Sequence, residues 1–193
     1  MESPMKLLFL AGSTRQHSLN KQLAREACRI ASELGAENTF IDLKDFAMPL
    51  FDGDLEQKSG LPDTAIQLKQ LFAEHQGIFI ASPEYNSAYS GVLKNAIDWI
   101  SRPHYENEPR LSAFAGKVFA ISATSPGALG GIRGLVPLRM LLGNLSALVI
   151  PEQLALGQGG KAFDDEGTLV NEASRKTLTN IVSRLKSVSE KQQ

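Results

Sequence analysis

Met5-Lys6-Leu7-Leu8-Phe9-Leu10-Ala11-Gly12-Ser13-Thr14-Arg15-Gln16-His17-Ser18-Leu19-Asn20 joins an apolar run to a hydroxyl-rich turn and the head of a helical pattern. The run from 5 to 11 shows no polar alternation, the mark of a parallel strand covered on both faces. Four comparable runs follow at 39–43, 77–82, 117–122 and 147–151. Between and after them, segments 19–34, 63–75, 91–100, 132–145 and 171–186 carry helical spacing and length. Pro62-Asp63 and Asn171 supply helix-start chemistry, and Gly35 supplies a stop.

Five strand–helix units predict an open, doubly wound parallel sheet, because parallel strands need right-handed crossover helices. In such sheets a ligand sits outside the carboxyl ends of the strands, where the strand order reverses. The loops after the first, third and fourth strands therefore carry the functional argument.

The first of these loops has the composition of an anion site. Free N–H groups at a helix start, the helix dipole, the hydroxyls of Ser13 and Ser18 and the Arg15 guanidinium are all donors able to converge on a phosphate. A P-loop would need Gly-Lys where His17-Ser18 stand, and a dinucleotide fingerprint would need glycines at Thr14 and His17, so both are disfavoured. Taken singly, Ser13, Ser18 and Asn20 are ordinary turn and helix caps. Together with Arg15 and their place after the first strand, they favour phosphate. His17 reads as a solvated loop histidine.

The third-strand loop and the helix after it read Ser82-Pro83-Glu84-Tyr85-Asn86-Ser87-Ala88-Tyr89-Ser90-Gly91-Val92-Leu93-Lys94-Asn95-Ala96-Ile97-Asp98-Trp99. Pro83 stiffens the exit from the strand, and the backbone groups of Glu84, Tyr85 and Asn86 are expected to be free to bond a planar heterocycle. Tyr85 is available to pack against it.

Gly12-Ser13, Arg15, Ser18 and Asn20, combined with Pro83-Glu84-Tyr85-Asn86, Gly91 and Leu93-Lys94-Asn95-Ala96-Ile97-Asp98-Trp99, resemble the NADPH-dependent FMN reductase family, in its branch of quinone, chromate and azo-dye reductases. The resemblance implies a flavodoxin-like fold: a five-stranded parallel sheet of order 2-1-3-4-5 in a three-layer α/β/α sandwich, spanning residues 1–193 as one domain. It implies bound FMN, NADPH or NADH as co-substrate, and a homodimer or homotetramer. It also implies that Ser13, Arg15, Ser18, Leu19 and Asn20 surround the FMN phosphate, that Pro83, Glu84, Tyr85 and Asn86 border the isoalloxazine ring, and that Thr124 lies near the flavin. Glu84 is read either as a solvated loop acid or, by the resemblance, as an ion-pair partner of a neighbouring subunit. Lys94, Asn95, Asp98 and Trp99 read as structural.

After the fourth strand, Thr124-Ser125-Pro126-Gly127-Ala128-Leu129-Gly130-Gly131 forms another glycine-rich turn, either a tight turn or a place of close approach to a ligand. Between Ser101 and Gly116 the chain departs from the compact family pattern with a longer charged loop, residues 102–110, which bears on acceptor choice. Arg102 and Arg110 are read there as surface residues, with a nucleotide phosphate as the alternative partner.

Composition bounds the class of chain. The 193 residues are 42% hydrophobic and 21% charged, as in a soluble globular chain. Twenty basic residues against 21 acidic leave a net charge of −1, which gives no reason to expect nucleic acid or an anionic membrane. The apolar run at the N-terminus is too short for a signal-peptide core, so a cytoplasmic location is expected. Cys28, the single cysteine, reads as a small buried hydrophobe.

No metal-ligand spacing, paired-carboxylate motif or Cys-His candidate is present, and no residue is assigned as catalytic, since the flavin would carry the chemistry. Two other classes remain: a flavodoxin-like electron carrier, which would share the sheet and the FMN, and a non-redox phosphosugar or nucleotide enzyme using the same anion cradle. Flavodoxins usually show a Thr-rich phosphate loop and an acidic surface, both lacking here.

Overall fold

The computed structural model describes residues 5–192; the remaining termini of the expected domain lie outside the described residues. Five strands, β1 (Lys6–Ala11), β2 (Glu37–Asp42), β3 (Gly77–Ala81), β4 (Val118–Thr124) and β5 (Leu148–Leu156), form one sheet in the order β2-β1-β3-β4-β5, all pairs parallel. Six helices accompany it: α1 (Leu19–Glu33), α2 (Gly53–Ser59), α3 (Asp63–Glu74), α4 (Gly91–Ile100), α5 (Ile132–Asn144) and α6 (Glu172–Glu190).

Strands β3 and β4 are buried along their whole length because each face of the sheet carries its own core. On one face Leu8, Leu10, Ile78, Ile80, Phe119 and Ile121 meet Leu68 and Phe72 of α3, Leu93 and Ile97 of α4 and Leu135 and Leu138 of α5. On the other, Leu7, Phe9, Phe79, Val118 and Ala120 meet Leu23 and Ala27 of α1 and Leu178, Ile181 and Val182 of α6. This is a three-layer α/β/α sandwich, and it explains why the strands read as continuous apolar runs.

Beyond shifts of one or two residues at other ends, two elements outrun their expected extent and one is new. β5 continues past Pro151 to Leu156, with a register shift opposite Phe119 and Ile121 that absorbs the proline. α2 was not expected: it is short and polar, buries no residue, and starts where the Asp52 carboxylate accepts from the Asp54 amide (2.8 Å). α6 runs four residues beyond the expected end at 186.

Cys28 is only half-buried, and its thiol donates to Asn38 Oδ1 (2.9 Å). Burial pushes this thiol up to about 11 against a smaller opposing effect of Arg25, so it stays protonated and unreactive at neutral pH.

The helix after the second loop is structural, as its sequence suggests. Lys94 pairs with Asp98 (2.6 Å), while Asn95 and the Trp99 indole N–H both donate to the Pro49 carbonyl (2.8 Å each). No helix among the described residues is long and apolar enough to cross a membrane.

Candidate functional site

The strand order reverses between β1, whose next strand in the chain lies on one side, and β3, which lies on the other. The register sets Ala11 beside Ala81 and Ala81 beside Ser122, so the loops leaving these strands emerge side by side. Gly12 N donates to Ala81 O (2.9 Å) and Ser82 N to Ser122 O (2.8 Å), carrying the ladder one residue into the loops.

The loops enclose a cavity of about 320 Å³ lined by Ser13, Arg15, His17, Ser18, Leu19, Asn20, Pro83, Glu84, Tyr85, Thr124, Ser125 and Pro126. Nine of the ten residues expected at the site are thus brought together; Asn86, at the hairpin tip, is not part of the lining. Ser125 and Pro126 were missed, and only their place directly after Thr124 could have signalled them. His17, read as solvated, is exposed and also lines the rim.

Along the first loop, Ser18 caps α1, its Oγ accepting from Lys21 N (3.4 Å), and Ser13 Oγ accepts from Arg15 N (3.3 Å). Each hydroxyl keeps its own hydrogen for a ligand. The first-turn amides of Leu19 and Asn20 have no intrahelical acceptor, so this rim is rich in donors. Arg15 is exposed and joins none of the ion pairs among the described residues. The loop is held from behind by Ser90, which donates to Gly12 O (2.5 Å) while capping α4. A Cβ on Gly12 would come within 3.0–3.1 Å of the Leu93 side chain.

Asn20 does something other than present its amide to a ligand. Its Nδ2 donates to Thr124 O (2.9 Å) and its Oδ1 accepts from Thr124 N (3.0 Å), riveting the start of α1 to the end of β4. Thr124 in turn donates its hydroxyl to Leu156 O (2.9 Å). Both are buried cross-links that form the cavity wall.

The second loop is a tight hairpin. Tyr85 N donates to Ala88 O (2.9 Å), Ala88 N donates to Tyr85 O (3.1 Å), and Asn86 and Ser87 take φ of 52° and 64° at the turn. The expectation that Tyr85 offers free backbone groups is therefore corrected: both are committed to the hairpin, and only its half-exposed ring faces outward.

Glu84 is not a solvated loop acid: it is held within its own chain. Its side chain is 8% exposed, Oε1 pairs with Arg133 (2.7 Å), and Oε2 accepts from Gly134 N (3.1 Å) at the start of α5. Arg133 escaped sequence reading because nothing local links a residue to a loop 49 positions upstream.

The 102–110 loop does not enter the cavity. Arg102 pairs with Glu56 of α2 (2.8 Å) and lies over the Phe51 ring (5.9 Å), a surface contact within its own chain. Glu108 is buried against Lys69 of α3, and also accepts from Ser112 Oγ (2.5 Å) and His104 N (2.7 Å). Burial pushes its carboxyl up, but these donors outweigh burial and hold it at about 2.

Comparison with known proteins gives the same picture. The sequence model of the NADPH-dependent FMN reductase family matches residues 5–161. The chain is 34% identical over 178 residues to a quinone reductase of Escherichia coli, covering 88% of this chain and 90% of that protein. It is 33% identical over 182 residues to a 2-hydroxy-1,4-benzoquinone reductase of a Burkholderia species, covering 93% of each. Among solved structures it is similar to FerB, a flavoenzyme NAD(P)H:(acceptor) oxidoreductase of Paracoccus denitrificans, with a TM-score of 0.82 at 26% identity over 97% of this chain and 98% of that one. Shared sequence of this extent, on a flavodoxin-like sheet, makes the protein an oxidoreductase of the NADPH-dependent FMN reductase family.

Proposed function

We propose that the cavity between the three loops holds FMN and that the protein passes two electrons from NADPH or NADH through it to a quinone. One observation carries this reading: Arg15, which joins no ion pair among the described residues, and a helix start rich in donors line the same cavity as the Pro83–Tyr85 stretch. A phosphate needs the first and a planar ring suits the second. When bound, FMN supplies the chemistry: a hydride from the nicotinamide brings two electrons and one proton, and these with one solvent proton convert a quinone to its hydroquinone.

The chain's own residues bind and orient. Arg15, Ser13, Ser18 and the amides at the head of α1 grip the phosphate, and Asn20 and Thr124 fix the wall behind it. The Glu84–Ala88 hairpin sets the ring edge, and Tyr85 shields it from water. Azo compounds and chromate are further acceptors within this proposal.

Purified protein is expected to be yellow, to release FMN on denaturation, and to oxidise NADPH rapidly when benzoquinone is added. A colourless protein that takes up no added FMN would remove the reading. A yellow one that NADPH and NADH fail to reduce would leave an electron carrier instead. Arg15→Ala is expected to raise the FMN Kd about 10- to 150-fold, the equivalent of about 1.5–3 kcal/mol for hydrogen bonds to a charged group. Titration giving the wild-type Kd would place the guanidinium in solvent.

A further inference from the structure

We propose that Glu84 and Arg133 act as a charge-balanced clamp that sets the position of the ring-bordering hairpin and, through it, the reduction potential of the bound flavin. The inference rests on the placement of FMN proposed above, and Glu84 and Arg133 are positioning residues in it.

Several independent features of the chain converge on this contact. α5 is preceded by Gly131, which has φ of 89° and no side chain to cap the helix. The missing cap is supplied from another loop: Glu84 Oε2 accepts from Gly134 N (3.1 Å), in the first turn of α5, where a carboxylate is favoured by the helix dipole. The other oxygen, Oε1, takes Arg133 through Nε (2.8 Å) and the terminal nitrogen (2.7 Å).

Close approach is built into the sequence. A Cβ on Gly134 would stand 3.2 Å from Ala88 O and 3.3 Å from the Glu84 side chain, and one on Gly131 would stand 2.8 Å from Ala123 Cβ. The glycines at 131 and 134 thus let α5 lie directly against the 84–88 hairpin. The hairpin itself is stiff, closed by the two Tyr85–Ala88 hydrogen bonds.

The charges are unequal in exposure, and this makes the clamp a tuning device. Glu84 lines the cavity and is 8% exposed, whereas the Arg133 side chain is 61% exposed and is not part of the lining. A buried carboxylate on the cavity wall opposes the negative charge that hydride delivery brings to the ring; a cation bound to that carboxylate offsets the opposition. The field felt in the cavity is therefore a difference between two terms that substitution can separate.

The test is the midpoint potential of bound FMN in Glu84→Gln, Arg133→Gln and the double variant, measured by spectroelectrochemical titration. Removing the carboxylate should raise the potential, removing only the guanidinium should lower it, and the double variant should return towards the wild type. A purely structural contact would move both single variants the same way or neither, and either result overturns the proposal. Arg133 is largely exposed, so Arg133→Gln should remain folded and tests the sign by itself if Glu84→Gln does not fold. If the wild-type protein takes up no FMN, the functional reading fails instead, and the two failures are told apart.

Discussion

Asn20→Ala is expected to destabilise the protein by about 2–4 kcal/mol and to weaken FMN binding, although the asparagine side chain is spent on the protein itself. Its carboxamide satisfies both backbone groups of Thr124, and both residues are 2–3% exposed. Alanine leaves a buried N–H and a buried C=O without partners, at about 1–3 kcal/mol each. Water entering from the adjacent cavity recovers part of this, which places the expected cost in the lower half of the summed range. At about 2–4 °C per kcal/mol for a chain of this size, the melting temperature should fall by about 4–16 °C. Thermal unfolding of the apo-protein measures it. A change of less than about 2 °C would show that solvent replaces the cross-link at no cost. The FMN effect follows from geometry, since the donors at the head of α1 would no longer be held against the end of β4.

Glu108→Ala should cost about 3–5 kcal/mol, the price of stranding a buried cation. The side chains of Lys69 and Glu108 are 4% and 1% exposed, and Lys69 Nζ also donates to Arg102 O (2.5 Å). Replacing both charges together, as in Lys69→Met with Glu108→Met, should recover most of the loss, because an apolar pair needs no counter-charge. The pH dependence has a definite sign. Glu108 titrates at about 2 when folded against an ordinary 4.5, so its contribution is complete above about pH 4.5 and is lost as the pH falls towards 2. Urea unfolding of wild type and Glu108→Ala at pH 7 and pH 3 should show the gap between them narrowing at the lower pH. A gap that stays constant would mean that Glu108 is not ionised against Lys69.

The sheet was legible because burial on both faces writes itself as uninterrupted apolar runs, and the cavity because the loops at the switch point carry unusual residues. What could not be read was pairing at a distance. Glu108 looked like one charge in a surface loop; its burial follows from Lys69, 39 residues upstream. A faint signal did exist. Lys69 sits beside Leu68 and one turn from Ala65, on the face that α3 buries, and a charge there calls for a hidden partner.

Asn20 and Glu84 were found as site residues, but for each the partner lies on an element that only the fold brings near. α2 was missed because a seven-residue polar helix that buries nothing has no periodicity to detect. β5 was cut at Pro151 because proline ends most strands, and only the register shift beside β4 lets this one continue.

That interrupted strand forms one rim of the sheet, where a parallel ladder would otherwise display a row of unpaired amides. Pro151 has no amide to offer, and the offset in pairing bends the surrounding backbone out of line. A stray extended peptide, or the same rim of another molecule, finds the template there broken in mid-strand. The protein is thereby guarded at this border, though not at the opposite β2 border, against edge-to-edge aggregation.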